Sequence, residues 1–121
     1  MKSFTELNAW QQSHKLAVEI YKITESFPKS DSFGLSQQMQ RAALSVTSNI
    51  AEGFGRQTNA DTIHFYIMAR ASLIELQNQL LLARDTGKLN DKNFQELANQ
   101  TITSVKLVGG LIRSIKKSTS F

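Results

Sequence analysis

Two histidines, His14 and His64, and a regular row of small polar and charged residues are the positions of this chain best suited to chemistry. A di-iron site in a helical bundle needs several inward carboxylates and, from two helices, a Glu followed three residues later by His. Neither histidine follows a Glu at that spacing, and only Asp61 precedes His64 correctly. An acid and an imidazole in the first turns of a helix read as an end-stabilising carboxylate and a surface ring, so no metal enzyme is expected. Ser45 and Ser48 share a helix face, but no histidine falls near them in the bundle derived below. Serines in such places let another helix approach. The "GFGR" stretch is too short for a phosphate-binding loop and lacks its lysine. The absence of cysteine removes thiol catalysis, disulfides and cysteine-ligated metals, and fits a reducing cytoplasm. No catalytic residue, cofactor or metal is expected.

The stretch "RAALSVTSNIAEGFGR", residues 41–56, holds the most regular polar pattern. Arg41, Ser45, Ser48, Asn49, Glu52 and Arg56 recur at steps of 4, 3, 1, 3 and 4, beside an apolar stripe of Met39, Ala43, Val46 and Ile50. A solvated face selected for helicity would carry Lys, Glu and Ala. Ser beside Asn suits a partly buried seam, where Ser permits close approach and Asn donates and accepts across the contact. Glu52 can pair with Arg56 one turn later. Folding this helix onto the next about residues 55–58 brings Arg41 near Glu75, which predicts an ion pair.

The elements that position these residues follow from the spacing of apolar groups. One proline and six glycines punctuate the chain, and between them the apolar period is helical throughout. Helices are predicted over about 7–26, 35–54, 59–86 and 91–116. The first buries Trp10, Ala17, Tyr21 and Thr24, with Leu16, Ile20, Ile23 and Phe27 alongside. The third buries Tyr66, Ala69, Leu73, Leu76, Leu80 and Ala83. The fourth buries Phe94, Ala98, Thr101, Val105, Val108, Ile112 and Ile115. Thr58 with Asp61 starts the third helix, and Asn90 or Asp91 caps the fourth. Short connections make sequential neighbours antiparallel. The expected fold is all-α, one up-down-up-down four-helix bundle over residues 1–121. Ile63, Ile67, Ile74 and Leu81 on the third helix, Val18 on the first, and Leu107 and Leu111 on the fourth widen the apolar faces beyond what a lone bundle uses, which predicts self-association.

A net charge of +4 and a pI near 9.6 permit a polyanionic partner without requiring one. No apolar run approaches the ~20 residues of a membrane span, and the N-terminus lacks a signal-peptide core. A soluble, cytoplasmic protein without membrane contact is expected. One end of the antiparallel bundle gathers Lys2, Arg56, Arg113, Lys116 and Lys117 against Glu6, Glu52 and Asp61. The other sets Lys22, Lys29, Arg84, Lys88 and Lys92 against Glu25, Asp31, Asp85 and Asp91. The aromatic residues are few and scattered along the sequence, with no base-stacking platform in view.

The segments "LNAWQQSHKLAVEIYKITESFP", "FGLSQQMQRAALSVTSNIAEGFGR" and "FYIMARASLIELQNQLLLARDTGKL" together resemble the 23S rRNA intervening-sequence protein family, also called the four helix bundle protein family. The last helix matches in pattern only. Signature positions are Arg41, Ala42, Ser45, Asn49, Ile50, Ala51, Glu52, Gly53, Arg56, Ser72 and Glu75. The resemblance implies a small bacterial protein without enzymatic activity that forms a homopentameric ring. A more distant similarity, to the accessory protein of diversity-generating retroelements, implies binding of nucleic acid. Two functions follow as expectations. One is an RNA- or DNA-associated scaffold that uses the basic end; the other is an adaptor that binds another protein.

Overall fold

Four apolar stripes separated by short polar turns can bury one another only by packing side by side. A computed structural model describes residues 1–31 and 34–119. Phe33, which opens the second family-like segment, and the last two positions of the expected domain lie outside the described residues. The helices are α1 (Asn8–Thr24), α2 (Leu35–Phe54), α3 (Asn59–Asp85) and α4 (Asp91–Thr119), with 3-10 turns at Phe4–Glu6 and Lys29–Asp31. The bounds of α2 agree with expectation at both ends. Thr58 accepts a hydrogen bond from the Asp61 amide at 3.2 Å, and Asn90 Oδ1 accepts from the Asn93 amide at 2.7 Å, so both expected caps form.

Each helix packs on two neighbours: α1 on α2 and α4, and α3 on α2 and α4. Directions follow from paired residues. Stepping from Ser45 back to Gln38 on α2 moves the partner from Ser72 on to Gln79 on α3. The bundle is therefore antiparallel, and its core is formed by Leu16 and Ile20 of α1, Met39, Val46 and Ile50 of α2, Leu73, Leu76 and Leu80 of α3, and Val108 and Ile112 of α4.

Three expectations about the apolar rows need correction. Tyr21 is 40% exposed, because the α1 stripe centres on Leu16 and Ile20 and leaves Tyr21 at its edge. Trp10 is only half-buried, leaning on Phe4 and His14. Leu107 and Leu111 do not remain free on α4; they pack against the core within the subunit.

At its C-terminal end α2 meets α3 closely. A Cβ on Gly53 would stand 2.7 Å from Tyr66 Cε1 and 3.0 Å from Phe65 Cβ. Thr62 Oγ1 donates to the Gly53 carbonyl at 2.9 Å. Gly87 has a different role. At φ 77° it reverses the chain after α3, and the Lys88 amide reaches back to the Ala83 carbonyl at 2.8 Å.

Two outcomes are expected. Gly53→Ala should destabilise by about 1–3 kcal/mol through overpacking, although alanine is the better helix former. Gly110→Ala, whose Cβ would meet only the Arg113 guanidinium at 3.8 Å, should stabilise by up to about 1 kcal/mol. Urea titration of both variants checks the opposite signs. Burial also pushes the Tyr66 hydroxyl above its ordinary value of 10.0. The folded state holds that proton more tightly, so this contribution to stability is complete below pH 10 and is lost as pH rises beyond it. Tyr66→Phe should flatten that alkaline decline in a pH series of melting temperatures.

Candidate functional site

The polar row of α2 divides according to which way its residues face. Ser45 and Asn49 turn toward α3. The Ser45 and Ser72 hydroxyls lie 2.9 Å apart across the helix pair. Asn49 is buried and donates from Nδ2 to the Ser45 carbonyl at 2.8 Å and to Ser45 Oγ at 3.1 Å. Ser45, Ser72 and Asn49 thus form one network at the α2–α3 contact. Gln79, also buried, extends the contact by donating to the Gln38 carbonyl at 3.4 Å. Comparable ties join the other sequential pairs: Gln40 donates to Thr24 Oγ1 at 2.9 Å, and Gln77 to Thr101 Oγ1 at 3.2 Å.

Ser48 and Glu52 face outward and are exposed. Glu52 stands 3.8 Å from Arg56, the expected pair, but both side chains are about half in water (58% and 44% exposed), so it contributes only a few tenths of a kcal/mol. The ion pair expected between Arg41 and Glu75 does not form among the described residues. Arg41 projects outward, while Glu75 accepts from Gln79 Nε2, one turn on, at 3.2 Å. Both groups lie outside the seam, where immobilising two long side chains costs more than a screened attraction returns. Ser72, not Glu75, is the cross-helix partner that α2 finds.

Antiparallel order places the start of α1, the end of α2, the start of α3 and the end of α4 together. Lys2, Arg56, Arg113, Lys116 and Lys117 belong to these segments, and all five are exposed. The Arg113 guanidinium folds back toward Gly109 and Gly110. The Lys2 amide donates to Glu6 at 2.7 Å. Arg56 lies over the Phe65 ring, 4.3 Å from its centroid, and His64 meets the same ring edge-on at 5.8 Å. On α1, His14 stacks on Trp10 at 4.6 Å with the rings 12° from parallel, and Phe4 meets Trp10 edge-on at 5.3 Å. The sequence reading missed these aromatic groups because their members are scattered along the chain. The i, i+4 spacing of Trp10 and His14 was the available signal.

At the other end Arg84 hydrogen-bonds Asp85 at 2.8 Å and lies over Phe94, 4.6 Å from its centroid. That hydrogen bond holds the Asp85 carboxyl below its ordinary range and raises Arg84. Among the described residues no three histidine, cysteine or acidic side chains come together as a metal site, and no helix is long and apolar enough to cross a membrane.

A small antiparallel four-helix bundle with polar ties across its helix pairs and a basic, aromatic end is the class these features define. This chain belongs to the 23S rRNA-intervening sequence protein family, whose sequence profile matches residues 5–110. A crystal structure of a protein of unknown function from the S23 ribosomal protein family of Bacteroides thetaiotaomicron has the same fold, with a TM-score of 0.82. It is 24% identical, and the match covers 87% of this chain and 95% of that one. None of the curated proteins matches.

The network predicts a graded mutational response. Asn49→Ala should cost about 1 kcal/mol, because the contact it fills is buried. Ser48→Ala and Glu52→Ala should each stay within about 0.5 kcal/mol of wild type. Ser45→Ala and Ser72→Ala should show a measurable coupling in a double-mutant cycle, since either change alone strands the other hydroxyl. Independent effects at Ser45 and Ser72 would show that the two hydroxyls do not act as a pair.

Proposed function

We propose that this protein is a non-enzymatic, self-assembling scaffold of the bacterial cytoplasm. Five copies form a ring, and the basic end of each bundle associates with RNA or DNA. The observation that carries the reading is α3, which is apolar on every side. Its inner rows build the core, yet Ile67, Met68, Ile74, Leu81 and Leu82 remain 40–51% exposed on its outer side. A helix apolar all round is a buried helix, so it calls for cover from outside the subunit. The ring number comes from the resemblance described above.

The polyanion half of the proposal draws on the end that holds Lys2, Arg56, Arg113, Lys116 and Lys117. In a closed ring these cations recur around one mouth, where phosphate contacts give salt-sensitive, sequence-tolerant binding. The nearby Trp10–His14 and Arg56–Phe65 groups offer ring faces and a guanidinium of the kind on which bases stack. The family's description names an RNA context, which points the same way.

Light scattering should give a mass of five subunits of 13.6 kDa. Binding of a single-stranded RNA should weaken steeply with salt, by roughly 0.7 of a log unit per log unit of salt for each phosphate contacted. Lys117→Ala with Arg113→Ala should lower both the affinity and that slope. A ring that binds neither RNA nor DNA would overturn the nucleic-acid assignment in favour of a protein adaptor.

A further inference from the structure

Two apolar surfaces occupy different sides of the bundle and differ in shape. One is convex: the outer ridge of α3, with Ile67, Ile74 and Leu81 along its length. The other is concave: a groove of about 280 Å³ between α1 and α2, lined by Ala17, Val18, Tyr21, Leu44 and Thr47, with Lys22 on its wall. Leu44 is 54% exposed there, and Val18 and Tyr21 are 38% and 40% exposed. Helix α3 packs on α2 and α4 and stands diagonally across the bundle from α1. Its outer ridge therefore points away from the α1–α2 groove of its own subunit.

We infer that the α3 ridge of one copy seats in the α1–α2 groove of a second copy. The inference rests on the scaffold reading above and specifies the contact that builds the assembly. A ridge helix laid into a groove between two helices is the ordinary way apolar helix surfaces interlock. The charges on the two surfaces complement each other. Glu75 rises beside the ridge with no cationic partner among the described residues of its own subunit. Lys22 lines the groove, and Lys15, two turns earlier on the same face of α1, is exposed beside it. Neither lysine has an acidic partner within its subunit among the described residues. Two different surfaces meet in this contact, so it is heterologous. Every copy uses its ridge once and its groove once, and the assembly closes only as a ring.

Two single substitutions and their mixture test this. Ile74→Glu places a charge on the ridge and leaves the groove intact; Leu44→Glu does the reverse. Both side chains are about half exposed in the subunit, so circular dichroism should show unchanged helicity. Tyr21→Glu serves as a second groove variant. Each variant alone should be monomeric by light scattering where wild type is assembled. An equimolar mixture of Ile74→Glu and Leu44→Glu should give a dimer and nothing larger, because one intact groove and one intact ridge remain between them. A mixture that stays monomeric, or a Leu44→Glu protein that assembles like wild type, overturns this contact while leaving the scaffold standing. A wild-type protein that is monomeric overturns the scaffold reading and this contact together.

Discussion

Helix α3 must be covered on more sides than one subunit can reach. Its inner rows, Tyr66, Ala69, Leu73, Leu76, Leu80 and Ala83, are enclosed by α2 and α4 across the core. The rows on its outer side are nearly as apolar, and three other helices cannot reach them. The rest of the molecule follows from how closely α2 can approach this helix. Gly53 lets the α2 backbone meet the Tyr66 ring, and small hydroxyls at Ser45 and Ser72 allow contact farther along. Burying Asn49 beside them makes the register specific, since a slipped pairing would leave a buried amide unpartnered at a cost of roughly 1–3 kcal/mol.

That division explains why one short sequence carries both an apolar stripe and a polar row. Met39, Val46 and Ile50 hold α2 in the core, Ser45 and Asn49 lock it to α3, and Arg41, Ser48 and Glu52 face outward. The polar row thus has two functions on two flanks of one helix. Side chains on the outward flank that find no partner in the subunit are free for contacts beyond it. The basic end works in the same way: its cations are exposed, and their effect on a polyanion grows only when several copies are held together.

The fold was legible in the sequence because periodicity, caps and short turns agree with one another. Thr58 and Asn90 start their helices as expected, and α2 begins and ends where its stripe does. Individual contacts were less legible. Arg41 and Glu75 stand at the right level for pairing, but level along a helix says little about facing, and both turn outward. Tyr21 lies one position beyond Ile20, which is enough to move it from the core to the edge of a groove. The aromatic groups at the basic end depend on three-dimensional folding of Phe4 and on the α2–α3 turn, which no spacing rule encodes. The surplus of α3 was visible directly, because four rows of apolar residues in one helix cannot face one way.

The central claim is that the outer side of α3 is covered by another copy of the chain. The chain has no cysteine, so one introduced thiol reports on one position. The measurement is the labelling rate of Ile74→Cys relative to Thr103→Cys, an exposed position on α4, compared between assembled and dilute protein. The account predicts that Ile74→Cys labels much more slowly than Thr103→Cys in the assembled protein and that the difference shrinks on dilution. Equal labelling rates at the two positions across all concentrations would contradict it.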